Sequence, residues 1–229
     1  KLQTGHIVAI CNEFEKGNHC SEKGEYEQAI DLYKQAVTDG YSNDKLHVNL
    51  SHAYINCGRF QEGIEHIESY FSSENAAGLP YELMVNLGMA YHGLEYSDQA
   101  LKNLIKAKQI APSRPEAYIG IGEILVSRGS VKETIGLFGE AKKECGFDTK
   151  LYNHIGGFYN DIVGDYEQAI THFAIANALS PDDPILLNNL GIAQIAAGGY
   201  LEAIPCLSKA IKIDPEYCNA HWNFAIALY

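Results

Sequence analysis

The segment Gly24-Glu25-Tyr26-Glu27-Gln28-Ala29-Ile30 returns as Gly164-Asp165-Tyr166-Glu167-Gln168-Ala169-Ile170, with six of seven positions identical. Weaker copies begin at Gly58, Gly129 and Gly198. The glycines at 24, 58, 164 and 198 are separated by 34, 106 and 34 residues, and the middle interval holds three periods plus small insertions. A period near 34 residues restricts the chain to architectures in which one supersecondary unit stacks on its own copies.

Aligned on that period, the sequence divides into units 10–43, 44–80, 81–114, 115–148, 149–183 and 184–217, with a half unit 218–229. Apolar residues recur at repeat positions 4, 7, 8 and 11, and again at 20, 24 and 27. Both sets follow the i, i+3, i+4, i+7 spacing of one helix face. A glycine near position 15 separates the halves, and Pro112, Pro181 and Pro215 stop the second half. Each unit is therefore expected to be two antiparallel helices joined by a tight turn. Gly17, Gly88, Gly122 and Gly191 at position 8, with Ala29, Ala100, Ala169 and Ala203 at position 20, predict close approach of the paired helices. A helix-interior glycine costs about 1 kcal/mol relative to alanine, so its recurrence points to a packing demand. A single hairpin cannot bury its own apolar face, whereas stacked hairpins share a continuous core.

This pattern resembles the tetratricopeptide repeat family over residues 10–229. The clearest copies are Leu187, Leu190, Gly191, Gly198, Tyr200, Ala203, Leu207, Ala210 and Pro215, and Met84, Leu87, Gly88, Tyr91, Ala100, Leu104, Ala107 and Pro112. The resemblance implies an all-α, right-handed α-solenoid of about six and a half helix-turn-helix units, forming one domain over residues 1–229. Departures are local: Gly63 and Tyr70 stand where alanine is usual, Gly78-Leu79-Pro80 extends one unit, and one residue is inserted near Val163. Unit 115–148 ends at Gly146 without its proline.

The chemistry the sequence lacks narrows its function. No GxGxxG, GxxxxGK[ST], GxSxG or HExxH string is present. Lone histidines on helices read as solvated or satisfied residues, and His47, His52 and His66 lack metal-ligand spacing. Asn49-Leu50-Ser51 matches a glycosylation sequon but falls inside an expected helix. The six cysteines, at 11, 20, 57, 145, 206 and 218, form no CxxC pair and read as reduced, buried residues of a cytoplasmic protein, although Cys11 with Cys20 or Cys206 with Cys218 can lie close in space. No enzyme activity, cofactor or metal is expected. A net charge of −12 repels phosphate backbones and anionic lipid, so nucleic acid is excluded as a partner and membrane insertion is not expected. Lys1 in place of a methionine suggests a processed or engineered fragment.

Function is thus expected on a surface. In the family the first helices line a concave wall, on which positions 2, 5, 6, 9, 12 and 13 are exposed. Position 6 reads Glu15, Asn49, Asn86, Gly120, His154, Asn189 and Asn223. A side-chain amide donates and accepts at once, which suits a grip on extended peptide backbone. The run is similar to the asparagine ladder of O-GlcNAc transferase repeat regions. The residues expected to bind peptide are Asn18, Asn49, His52, Asn86, Met89, Glu123, His154, Asn189, Ile192 and Asn223. Among them lie apolar side chains (Phe14, Val48, Val85, Ile119, Trp222) and more acids than bases. Chaperone-adaptor members of the family hold an acidic C-terminal tail with lysine and arginine. The matching positions here are Phe14, Glu82 and Asn86, so such a tail is not expected to bind. The expected role is a scaffold or adaptor for a neutral or basic protein segment. Alternatives are the substrate-selecting repeat region of a larger enzyme, such as an O-GlcNAc-transferase-like glycosyltransferase, and self-assembly through the solenoid ends. The half unit with Trp222, Phe224, Ile226 and Leu228 is expected to be covered by further chain or by a second copy.

Overall fold

The computed structural model describes residues 2–74 and 78–229. Among these residues there are helices and no strand. The helices are α1 (Leu2–Glu22), α2 (Tyr26–Thr38), α3 (Asp44–Asn56), α4 (Phe60–Glu74), α5 (Tyr81–Gly93), α6 (Ser97–Ile110), α7 (Pro115–Ser127), α8 (Val131–Cys145), α9 (Thr149–Phe158), α10 (Tyr166–Leu179), α11 (Pro184–Ala196), α12 (Tyr200–Ile213) and α13 (Cys218–Leu228). A π-helical turn, Tyr159–Val163, continues α9. Two compact units result, Lys1–Ala111 and Pro112–Tyr229. In the first, α1–α2, α3–α4 and α5–α6 pack as hairpins; in the second, α7–α8, α9–α10 and α11–α12 do so, and α13 rests on α11 and α12. The fold is an all-α helical-repeat solenoid. Its first helix begins at Leu2, ahead of the boundary expected at residue 10.

The turns explain the spacing of glycines. At Gly198 the chain takes φ +83°, with Gly198 N–H donating to the Ile195 carbonyl at 2.9 Å and Gly199 N–H to the Gln194 carbonyl at 2.8 Å. That pair of bonds closes the helix C-terminus while the left-handed residue reverses the chain. Unit 81–114 makes the same turn at Glu95, whose φ of 63° is the one positive value at a non-glycine among the described residues. Glu95 N–H donates to the His92 carbonyl and Tyr96 N–H to the Tyr91 carbonyl, both at 2.9 Å. Elsewhere side chains cap the opposite ends: Asn43, Asp148, Asp165 and Asp183 each accept from a backbone N–H of the helix they precede.

The core follows the repeat register. The alanines of α2, α6, α10 and α12 at 29, 36, 100, 107, 169, 176, 203 and 210 are fully buried, and Leu190 is buried with them. Position 8 is where the hairpins touch. A Cβ built on Gly191 would lie 2.7 Å from Leu207, and one on Gly156 2.6 Å from Phe173. The same pairing joins Gly17 to Tyr33, Gly88 to Leu104 and Gly122 to Phe138. The partner sits sixteen residues on in every pair except Gly156–Phe173, where it is seventeen. The extra residue is the insertion near Val163, and the π-helical turn absorbs it: Asp165 N–H reaches back to the Tyr159 carbonyl at 3.0 Å.

Two expectations require correction, that lone helical histidines are solvated or satisfied and that the cysteines are buried. Tyr70, standing where alanine is usual, is buried by stacking on His47 at 3.8 Å between centroids and by donating to Asp44. His47 Nδ1 lies 3.0 Å from His66 Nε2, so α3 and α4 meet through a histidine pair that sequence spacing does not reveal. His172 is neither solvated nor satisfied: it is 4% exposed between Tyr152 and Tyr159, and neither ring nitrogen has a hydrogen-bond partner. The free cysteines 20, 57, 145 and 206 are half-buried, packed against the core without entering it, and Cys218 is exposed. Cys11 lies outside the described side chains, so its approach to Cys20 does too.

Candidate functional site

In the unit Lys1–Ala111 the first helices of successive hairpins are joined by asparagines. Asn49 Nδ2 donates to Asn18 Oδ1 at 2.8 Å, and the Tyr33 hydroxyl donates to the same oxygen at 3.0 Å. Asn86 Nδ2 donates to the Val48 carbonyl at 3.1 Å and to Ser51 Oγ at 2.8 Å. Asn86 is buried, at 9% exposure, in contrast to the exposure expected of position 6: its amide turns toward α3 to satisfy a buried hydroxyl. His52 is exposed and Met89 half-buried on the same helices. Phe14 is buried against the rings of Tyr33 and Tyr41, and Val85 is buried as well, so neither is an open wall residue.

The unit Pro112–Tyr229 repeats the device and adds a cavity. Asn189 Nδ2 donates to Asn153 Oδ1 at 2.9 Å, and Asn223 Nδ2 donates to Asn188 Oδ1 at 2.9 Å. A cavity of about 350 Å³ opens between α7, α9 with its π-helical turn, and α11. Four of the expected binding residues, Glu123, His154, Asn189 and Ile192, line it together. Asn223 does not; its amide is held by α11 one repeat further on. Ile119 reaches the cavity edge but is itself buried.

Asn153, Asn160, Ile162 and Asp161 also line the cavity and are not among the residues that the sequence selects for binding. The last three lie on the π-helical turn, and the one-residue insertion was the available signal. A π-turn widens the helix locally and re-aims its side chains, so these residues face the cavity through a change that a 3.6-residue wheel does not contain. Gly157 supplies part of the floor: a Cβ added there would meet nothing within 4 Å.

The electrostatics are acidic. His154 Nδ1 lies 3.9 Å from Glu123 Oε1. Burial holds the His154 ring below the usual histidine range; Glu123 opposes that shift and Lys150, one turn away, adds to it. The carboxylates of the cavity are those of Glu123 and Asp161, and no lysine or arginine lines it. Among the described residues no group of three or more His, Cys, Asp or Glu side chains is arranged to hold a metal ion. No helix among them is long and apolar enough to cross a membrane.

Known proteins share this architecture. The chain is 31% identical over 110 residues to the Hsp70-Hsp90 organising protein of Plasmodium falciparum, covering 48% of this chain and 42% of that protein. It is 25% identical over 207 residues to BBSome complex member BBS4 of Bos taurus, covering 90% of this chain and 32% of that one. The chain thus spans less than half the length of these curated relatives. Among solved structures, a chain of the APC/C hetero-tetramer Cut9-Hcn1 superposes with a TM-score of 0.67 at 15% identity, over 96% of this chain and 43% of that chain, a likeness of fold. Three family profiles, each described as tetratricopeptide repeat, match residues 15–45, 81–114 and 163–217. Those spans together cover more than half of the sequence, and the chain belongs to the tetratricopeptide repeat family.

Proposed function

We propose that this chain is a protein-interaction scaffold that holds an extended segment of a partner against the first helices of its repeats, with the cavity of the unit Pro112–Tyr229 as the principal grip. The observation that carries this reading is the cavity itself, about 350 Å³, with aliphatic walls from Val126 and Ile192 and amides from Asn153 and Asn189. Apolar surface flanked by a few convergent polar groups suits an extended peptide, whose side chains need pockets and whose backbone needs donors and acceptors. The Asn189–Asn153 bond uses one N–H of one amide, so each amide retains further hydrogen-bonding capacity for a ligand. The relatives support the same reading, since the Hsp70-Hsp90 organising protein, the BBSome member and the Cut9-Hcn1 tetramer are all named for assemblies.

The partner segment is neutral or basic. At the three positions where acid-binding members of the family would carry cations, this chain has buried Phe14, half-buried Glu82 and Asn86 bonded to Val48 and Ser51. An acidic tail would lose its hydration there without gaining a counter-charge.

The test uses Gly157→Leu. Because a Cβ at 157 meets nothing, the larger side chain fills the cavity without disturbing the hairpin and replaces a poor helix former with a good one. Peptides selected from a random phage library on the intact chain should lose at least about tenfold in affinity for the variant, roughly 1.4 kcal/mol. Selected peptides that bind both proteins equally would refute the assignment of this cavity as the grip.

A further inference from the structure

The cavity has a chemical asymmetry beyond its fit to a peptide. Its ionisable lining consists of Glu123, Asp161 and His154, and no lysine or arginine lines it. Lys150 acts on the His154 ring from one turn away without lining the cavity. On the π-helical turn, Asn160 Nδ2 donates to Asp161 Oδ1 at 2.7 Å. That bond fixes the orientation of the amide, since a carboxylate accepts only from its nitrogen end. The other end, Asn160 Oδ1, is buried and has no hydrogen-bond partner. That oxygen is closed to solvent, whereas Asp161 beside it is exposed, so the carboxylate is what the π-helical turn offers a ligand. The site therefore presents two carboxylates beside aliphatic walls, and it lacks donors of positive charge.

A guanidinium group on an aliphatic stem supplies what is missing. It is planar, carries five N–H donors, remains charged at every physiological pH and loses its hydration more readily than an ammonium group. Its stem packs on apolar surface while its head reaches the acceptors. We propose that the cavity bounded by Glu123, Asn160 and Asp161 is a recognition pocket for an arginine side chain of the bound segment, created by the one-residue insertion that the π-helical turn accommodates. This assignment rests on the reading of the cavity as a peptide site and names the side chain it selects. Arginine N–H groups donate to Asp161 and Glu123 carboxylate oxygens, and Val126 and Ile192 flank the stem.

The experiment is an amide-resolved NMR titration of the full chain with three probes: acetyl-Leu-Arg-Leu-amide, the same peptide with citrulline, and acetyl-trileucine-amide. Citrulline keeps the shape of arginine and removes its charge. The arginine peptide should perturb the amides of Glu123, His154, Asn160 and Asp161, with the citrulline peptide roughly two- to fivefold weaker, as expected from removing the charge of a half-exposed ion pair. Asp161→Asn and Glu123→Gln, both at surface positions that the fold tolerates, should each weaken the arginine peptide and leave the citrulline peptide unchanged. Equal binding of all three peptides at these amides overturns the arginine assignment while the groove reading stands. Arginine binding indifferent to both variants overturns it as well. If no probe perturbs these amides, both readings fall.

Discussion

Substituting the glycine at repeat position 8 tests how closely the paired helices pack, because two opposing effects of known size compete there. Gly191 lies in the interior of α11, where alanine is intrinsically better by about 1 kcal/mol. Its added Cβ would stand 2.7 Å from two carbons of Leu207 and 3.2 Å from a third. Leu207 is fully buried on α12, so it has no solvent side to retreat to. Overpacking a filled core costs about 1–3 kcal/mol, so Gly191→Ala should be net destabilising by roughly 0–2 kcal/mol. Gly136, inside α8, is the control: nothing lies within 4 Å of its added Cβ and it is exposed. Gly136→Ala should stabilise by about 0.5–1 kcal/mol. Leu207→Ala alone should cost about 2–5 kcal/mol. Combined with Gly191→Ala it should cost less than the sum, because the new methyl enters the space the leucine left. Urea unfolding of the four variants gives these values. Stabilisation of equal size by Gly191→Ala and Gly136→Ala, or strict additivity of the double variant, would refute the close-approach argument.

Glu95→Gly removes a side chain from left-handed backbone and should raise stability by up to about 1 kcal/mol, seen as a higher melting temperature; a fall would show that Glu95 makes a compensating contact. His172 is held down to about 4 by burial first and by the Lys142 charge second, so the folded chain resists a proton that the unfolded chain binds near 6.5. Stability from this group is intact above pH 6.5 and declines as pH falls from there to about 4, by no more than about 3 kcal/mol. His172→Phe should flatten that decline, and parallel urea midpoints for the two proteins between pH 7.5 and 5 would refute it. Asn86→Ala should cost about 1–3 kcal/mol, because it strips the Val48 carbonyl and Ser51 of a buried donor. An unchanged melting temperature would contradict that structural role.

The hairpins and their contacts were legible because the information is periodic. One strong copy at Gly164-Asp165-Tyr166 fixes the register, and the fully buried alanines at 29, 100, 169 and 203 fall where the register puts them. The asparagines were legible as a series on the first helices but not in their pairings. That Asn189 would meet Asn153, and Asn223 meet Asn188, depends on how far consecutive helices are offset, which no single repeat encodes. Glu95 shows the limit of composition: the turn needs a positive φ, and the sequence places there a residue that gives no hint of it. His172 was misjudged because a lone polar residue on a helix says nothing about the rings of Tyr152 and Tyr159 that arrive from α9 and the π-helical turn. The cavity lay behind an insertion whose position was visible and whose effect on side-chain direction was not.

The π-helical turn also bears on how such a chain can change over generations. A Cβ added at Gly156 would stand as far from Phe173 as one added at Gly88 would from Leu104, 2.6 Å, although the Gly156 helix pair carries one more residue. A single-codon insertion has been confined to the end of one helix, and the following hairpin, α11 and α12, packs with the same glycine–leucine contact between Gly191 and Leu207. Lengthening by one residue in this place remodels a pocket without re-registering its neighbours. Repeats of this build can thus diversify what they hold one hairpin at a time, by small insertions at the inner turn, while the shared core remains under a separate and stricter constraint.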